Sequence, residues 1–287
     1  MQAIRNILVI VEPAQVPSLA LGRAKMIASV TQSHLHVLVC DKKHDHSAFL
    51  ATLSGTLEQE GFSVSSQQAW HENLYQTVIT VQQAEGCGLV VKQHVADNPL
   101  KKALLTPDDW KLLRYCPTPV LLVKTDKPWT GGVILAAVDV GNHDSEHRTL
   151  HSGIVSHGYD IAALAKGDLH VISAHPTPML SAPDPTFQLK ESIEAHYREQ
   201  CKAFQAKYEV DDQHLHVEEG PADVLIPFTA RRLNAVVTVI GTVARSGFSG
   251  ALIGNTAEVV LDALESDVLV LKPDEIIDHL EELLGQH

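Results

Sequence analysis

The chain has 287 residues, of which 45% are hydrophobic and 20% charged, a composition typical of globular proteins and sufficient for two domains. Its formal net charge of -13 would repel nucleic acid phosphates and anionic lipid headgroups, so neither is an expected partner. No apolar run reaches the roughly 18 residues of a membrane span, and the first one is too short for a signal peptide. With four scattered cysteines and no Cys-x-x-Cys pair, the chain is predicted to be cytoplasmic, with reduced thiols.

Short β-branched runs alternate with longer amphipathic stretches along the chain. In the first half they predict helices over 19–30 and 73–84, and strands over 7–11, 35–39, 89–91 and 120–123. Strands that alternate with helices indicate a parallel sheet with right-handed crossovers and helices on both faces. We therefore predict an α/β fold with open, Rossmann-like sheets.

The second half repeats these strands in the same order, over 133–139, 169–172, 236–240 and 268–271. The second strand keeps a Leu-His-Val triplet, and both final strands run into Lys-x-Asp. This series of matches indicates a duplicated domain. We expect a first domain over 1–126 and a second over 131–287, joined by a connector that contains Pro and Gly. Apolar residues at helical spacing over 276–284 predict a C-terminal helix that either packs on its own domain or docks a partner.

The most informative segment follows the third strand of the second half, where a glycine-rich loop leads into a helix. Such a loop lets backbone N–H groups approach a phosphate, and the helix N-terminus adds a partial positive charge. The alternative is a tight turn that needs glycine dihedrals and binds nothing. The candidate ligand-binding residues of this segment are Gly241, Thr242, Val243, Gly254, Asn255 and Thr256.

The segment resembles the nucleotide signature of the universal stress protein family, which reads Gly-x-x-Gly, nine residues, Gly and Ser/Thr. Gly241 and Gly254 match, whereas Ala244 and Asn255 depart. The stretches 106–110 and 112–120 resemble the E-type members, which carry two such domains in tandem. The resemblance implies that Asp139 and Ala174, at the ends of the first two strands of the second half, lie beside the ligand. It also implies that 120–123 and 268–271 pair within the chain; a homodimer of such chains is equally compatible.

The resemblance implies a stress-response protein that binds a small ligand in its second domain and acts as a non-catalytic signalling module. One alternative is an ATP-binding switch with slow hydrolysis or autophosphorylation. Another is a carrier of an apolar or lipid-like metabolite, in which the Pro-rich stretch 175–185, with Met179, Leu180 and Phe187, walls a pocket. ATP is thus the cofactor under consideration, and other ligands stay open.

Catalytic patterns are missing from the sequence. Neither a Gly-x-Ser-x-Gly elbow nor a Gly-x4-Gly-Lys loop occurs, so no catalytic residue is predicted. Cys116 precedes a proline and is expected to be buried at a strand entrance. In the first half, 93–99 carries no glycine and Glu12 stands in place of Asp139, so this half is not expected to bind a nucleotide in the family's manner.

Histidine is abundant, with 17 residues. His143, His147 and His151 lie four residues apart and would share one helical face, which makes them candidate ligands of zinc or copper. The alternative is that they are solvated or locally hydrogen-bonded. Two further pairs alternate, so that each pair should face one side of a strand: His34/His36 and His214/His216.

Overall fold

A computed structural model describes residues 1, 4–95, 105–141, 145–242 and 255–284. Its strands are β1 (Asn6–Ile10), β2 (His34–Cys40), β3 (Val64–Ala69), β4 (Leu89–Gln93), β5 (Val120–Val123), β6 (Val133–Ala137), β7 (Asp168–His175), β8 (Leu215–Glu219), β9 (Val237–Gly241) and β10 (Asp267–Leu271). Its helices are α1 (Leu19–Thr31), α2 (Ser47–Gln59), α3 (Leu74–Ala84), α4 (Pro107–Tyr115), α5 (Ser145–Ala165), α6 (Lys190–Tyr208), α7 (Ala222–Arg232), α8 (Asn255–Ala263) and α9 (Asp274–Leu284). A short 3-10 helix covers Pro185–Phe187.

Within the described residues, the strands form one sheet in the order β3-β2-β1-β4-β5-β10-β9-β6-β7-β8. Neighbouring strands are parallel within each half of the chain. The exception lies at the centre, where β5 and β10 pair antiparallel with Leu121 opposite Leu269. Together with the helices on both faces, this confirms the predicted α/β fold. None of the helices in the described ranges is long and apolar enough to cross a bilayer.

The strands are apolar on both faces because helices cover both faces. In β1, Ile7 and Val9 belong to one core layer, with residues of α1, α2, α5 and α6. The alternating residues Leu8 and Ile10 belong to the opposite layer, with residues of α3, α4, α7 and α8. Strands buried in this way read as continuous apolar runs, which is why the sequence predicts them well.

The predicted helices also form. Ser18 caps α1 through its side chain, which accepts from the N–H of Leu21, and Asn73 caps α3 in the same way. The predicted C-terminal helix is α9, whose Leu280 is 2% exposed and which packs against α5. Its apolar face therefore lies on the second half of the chain.

The two halves are tied together by a buried carboxylate next to the central strand pair. Asp267 is fully buried and accepts from Arg23 Nε at 2.9 Å and from Trp129 Nε1 at 2.8 Å. It also accepts from the backbone N–H of Lys124 at 2.8 Å. Trp129 is 1% exposed, so the stretch after β5 is anchored in the protein core.

Two lysines that follow the central strands cross to the opposite half. Lys272 Nζ donates to the carbonyl oxygen of Cys116 at 2.7 Å, just past the end of α4. Lys124 Nζ donates to the carbonyl oxygens of Leu261 at 2.9 Å and of Leu264, at the end of α8. Burial lowers the pKa of both lysines to about 8. Through these hydrogen bonds, each lysine satisfies carbonyl groups that a helix C-terminus leaves unpaired.

Candidate functional site

The carboxyl ends of β6, β7 and β9 meet where the strand order of the second half reverses. β6 lies between β7 and β9, and the helices that follow β6 and β9, namely α5 and α8, pack on opposite faces of the sheet. Ligands of open parallel sheets bind in the crevice at such a point. Asp139 lies two residues after β6, Ala174 lies in the last part of β7, and Thr242 follows β9 directly. The structure thus brings three predicted residues to one edge.

Asp139 is held in place by its surroundings. Its N–H donates to His151 Nε2 at 3.2 Å, and its Oδ1 accepts from the N–H of Gly141 at 3.1 Å. The next N–H, that of Val140, donates to Ser173 Oγ on β7 at 3.1 Å. These bonds fix the chain at the end of β6. They present a fixed, half-buried carboxylate at the centre of the edge.

Tyr197 of α6 covers this edge from the helix side. It is 5% exposed, its hydroxyl donates to Asp139 Oδ1 at 3.4 Å, and its ring lies 5.1 Å from that of His175. Burial and the neighbouring Asp139 raise the pKa of the Tyr197 hydroxyl, which therefore stays protonated and donates. A Cβ at Gly141 would lie 2.5 Å from Tyr197 Cζ, so glycine is needed for this close contact. Sequence reasoning missed Tyr197, because no local pattern links it to a strand end.

Gly241 and Thr242 have roles in packing and in the sheet. A Cβ at Gly241 would lie 2.7 Å from Leu150 Cγ of α5, so the glycine makes room for this helix. Thr242 is 3% exposed, and its N–H donates to the carbonyl oxygen of Leu271 at 2.9 Å. Its hydroxyl donates to the same oxygen at 3.4 Å. Thr242 thus extends the pairing of β9 with β10.

The structure describes only some of the remaining predicted site residues. Val243 and Gly254 lie outside the described residues, and Asn255 and Thr256 are placed only as the backbone that begins α8. Ala174 is half-buried and pairs in register with Glu218 of β8.

Of the candidate metal ligands, His151 is the one whose side chain is described. It is buried, and its Nε2 accepts a hydrogen bond from the backbone of Asp139. His143 and the side chain of His147 lie outside the described residues.

The pairing registers identify equivalent residues in the two halves. Ile10 and Ala137 are the last residues of the corresponding strands β1 and β6. Ile10 pairs with Lys92 of β4, and Ala137 pairs with Ile240 of β9. Lys92 therefore corresponds to Ile240, and His94, two residues later, corresponds to Thr242. Likewise α4 and α8 have nine residues each. Their third residues, Asp109 and Ala257, occupy the same helical position.

In the first half, the carboxylate of Asp109 is buried at the equivalent edge of the sheet. It is fully buried and accepts from Lys92 Nζ at 2.7 Å, from His94 Nδ1 at 2.7 Å and from Thr106 Oγ1 at 2.9 Å. Burial alone would raise its pKa, but the His94 hydrogen bond and the Lys92 charge hold the pKa of Asp109 below its ordinary value. An internal carboxylate thus occupies the N-terminal turn of α4, where an anion would otherwise be favoured.

The second half lacks this arrangement at the equivalent positions, which are described as Ile240, Thr242 and Ala257. Ala257 has no carboxylate, and the neighbouring Glu258 pairs with Arg114 of α4 at 3.0 Å. The first turn of α8 therefore carries no internal anion at the position that Asp109 occupies in α4.

Three further expectations concern single side chains. His34 Nε2 and His36 Nδ1 each lie 2.7 Å from Ser65 Oγ, which confirms that this pair faces one side of its strand. Cys116 is fully buried, as predicted, and burial raises the pKa of its thiol. Met179 and Leu180 are 59% and 80% exposed, so both side chains lie largely in solvent.

Comparisons with known proteins agree with this architecture. A sequence model described as the universal stress protein family matches residues 132–272. Universal stress protein E from Salmonella typhi is 35% identical over 224 residues, covering 76% of this chain and 71% of the relative. A crystal structure from Pseudomonas aeruginosa UCBPP-PA14, of a protein assigned to the universal stress proteins, has 68% identity and a TM-score of 0.93, with 99% of each chain covered. A universal stress protein from Archaeoglobus fulgidus, at 16% identity, has a TM-score of 0.59 over 93% of this chain and 98% of its own, a likeness of fold. The chain therefore belongs to the universal stress protein family.

Proposed function

We propose that this protein binds a small anionic ligand at the carboxyl edge of β6, β7 and β9 and acts as a non-catalytic signalling module in a cytoplasmic stress response. The observation that carries the proposal is the difference between equivalent positions in the two halves. Asp109 fills the N-terminal turn of α4 with a buried carboxylate, whereas Ala257 stands at that position of α8. The first three residues of α8 are not acidic, and Glu258, the fourth, pairs with Arg114, so the N–H groups at this helix N-terminus favour an anion from outside.

The edge supplies two kinds of recognition. Asp139, fixed by His151 and Gly141, is placed to accept hydrogen bonds from N–H or O–H groups of a ligand. The first turn of α8 attracts the negative end. A molecule with a polar heterocycle or sugar at one end and a phosphate at the other, such as a nucleotide, matches this pair of features.

The proposed organisation has two domains, 1–126 and 131–287, that contact each other through β5 and β10. The first is a scaffold whose own edge is closed by Asp109, Lys92 and His94. The second carries the ligand. Lys124 and Lys272 cross between the halves, so that the C-terminal ends of α8 and α4 are each bonded to the opposite half.

Native mass spectrometry of the purified, intact chain tests the proposal by identifying whatever small molecule remains bound. Equilibrium binding of ATP is measured in parallel, for the unmodified chain and for the double variant Ala244→Gly/Asn255→Ser. We expect an anionic small molecule in the mass spectrum, or ATP binding that the double variant strengthens. Micromolar ATP binding by the unmodified chain with phosphate release would favour the ATP switch. A neutral lipid as the bound species would favour the carrier, and an empty chain that binds ATP in neither form would contradict the proposal.

A further inference from the structure

A second group of polar side chains follows β2, at the edge of the first half. Asp41 Oδ2 lies 2.9 Å from His44 Nδ1 and 2.8 Å from His46 Nε2. One ligand atom from each of the three side chains lies within 4.8 Å of the other two. Across the described parts of the chain, this is the one group of three His, Cys, Asp or Glu side chains with such an arrangement.

We propose that Asp41, His44 and His46 bind a divalent transition-metal ion, for which Zn²⁺ is the best match. Two imidazoles and one carboxylate are ligands that zinc takes at about 2.0–2.2 Å, and tetrahedral geometry then separates the ligand atoms by roughly 3.3–3.5 Å. The present separations from Asp41 are 2.8 and 2.9 Å, so small side-chain rotations would admit the ion. Magnesium and calcium are less suitable, because they prefer oxygen ligands alone.

The loop that carries these ligands is fixed by Gln68 of β3. Gln68 Nε2 donates to the carbonyl oxygens of Asp41 at 2.9 Å and of His44 at 2.6 Å, and its Oε1 accepts from the N–H of His46 at 2.8 Å. One side chain thus holds the backbone of all three ligand residues. A metal would find a preorganised loop and would not have to order it. Gln68 is therefore a positioning residue for the ion.

One carboxylate and two imidazoles converge at the site, which is open to solvent. The ammonium group of Lys42 lies over the Trp70 ring, 5.4 Å from its centre. The His44 side chain is 72% exposed, which leaves the site open to solvent. Three protein ligands leave a fourth tetrahedral position for water or an outside ligand.

The test is a Zn²⁺ titration of the full-length, chelator-treated protein in competition with a chromophoric chelator. We expect the variant His44→Ala/His46→Ala to lose one bound equivalent. The control His71→Ala, which removes an exposed histidine from a neighbouring loop, should retain it. Gln68→Ala should weaken the same equivalent by about 10–100-fold, as is usual for residues that orient metal ligands. Circular dichroism establishes that each variant is folded.

The chain has 17 histidines, so the ion must also be located. Carbethoxylation of histidines, read by peptide mass spectrometry, should show His44 and His46 protected by one equivalent of Zn²⁺ and His71 unprotected. Unchanged stoichiometry and affinity in the double variant would overturn the proposal. It would also be overturned if the unmodified chain bound Zn²⁺ more weakly than about 1 mM, or if Zn²⁺ left His44 and His46 reactive. These outcomes are independent of ligand binding in the second half.

Discussion

Replacing Gly241 by alanine tests whether this glycine is required for packing rather than for contact with a phosphate. The new Cβ would lie 2.7 Å from Cγ of Leu150, a side chain that is 5% exposed. Adding a methyl group to a filled core costs about 1–3 kcal/mol. Leu150 also borders a cavity of about 220 Å³. We therefore expect a loss near the lower end, about 1–2 kcal/mol in the free energy of unfolding.

The decisive comparison is a double-mutant cycle. Leu150→Ala alone should cost about 2–5 kcal/mol, because it leaves a cavity in the core. In that background the Cβ at Gly241 enters the vacated space, so the second substitution should be neutral or stabilising. The coupling between the two sites should reach about 0.5–3 kcal/mol, the range for residues in contact.

Urea unfolding, followed by circular dichroism, measures these differences. Gly55→Ala is the matched control, since a Cβ at this helical glycine meets nothing within 4 Å. It should stabilise the protein by about 0.5–1 kcal/mol through the lower backbone entropy of alanine. If Gly241→Ala costs the same with and without Leu150, the packing argument is refuted.

Two more predictions concern buried charge. Asp109→Asn should lower the free energy of unfolding by about 3–5 kcal/mol, because it leaves the buried Lys92 ammonium without its carboxylate partner. The control Asp108→Asn, one residue earlier, should lower it by at most about 1 kcal/mol. Equal losses of stability in urea unfolding would argue against the buried cluster. Burial lowers the folded-state pKa of Lys272 to about 8. Between pH 8 and about 10.5 the unfolded chain therefore binds more protons than the folded protein does. Lys272 thus destabilises the folded protein less as the pH rises through that window. The stability of the unmodified protein relative to Lys272→Met should therefore rise between pH 8 and about 10.5 and be flat below pH 8; a difference that is constant or falls would show that burial does not lower this pKa.

The centre of the fold could be predicted because its strands are buried on both faces. After Asn6, β1 consists of Ile, Leu and Val alone, and β5 consists of Val and Leu alone. The outer strand β3 reads Val-Ser-Ser-Gln-Gln-Ala and is half-buried throughout, so its sequence carries no comparable pattern. The polar residues of β3 make specific contacts instead, as Ser65 does with His34 and His36. Such contacts cannot be read from hydrophobic periodicity.

The candidate site could be predicted in part, for a topological reason. The carboxyl ends of parallel strands share one edge, so Asp139, Ala174 and Thr242 had to lie near one another once the strands were identified. The contacts of Tyr197 with Asp139 and of Lys92 and His94 with Asp109 could not be predicted, because they join residues that are 58 and 15–17 positions apart. No alternation or helical spacing connects them.

The grouping of the histidines could also be predicted only in part from the sequence. A spacing of four residues, as in His143, His147 and His151, is legible as a helical face. The Asp41, His44 and His46 group lies in a loop, and its convergence depends on Gln68, which is 22–27 residues away. The sequence therefore favoured the helical set, while the structure brings the loop set together.

On the proposed function, an anion binds at the start of α8, where Ala257 stands at the position that Asp109 occupies in α4. Ala257→Asp transfers the arrangement of Asp109 to the second half and is suited to the third position of a helix. Val259→Asp is the control, because it adds the same charge at a 51% exposed position of the same helix. Native mass spectrometry of the co-purified ligand, with ATP titration alongside, should show retention by the unmodified chain and by Val259→Asp, and at least a tenfold loss of affinity, about 1.4 kcal/mol, for Ala257→Asp. Equal ligand binding by all three proteins would contradict the account.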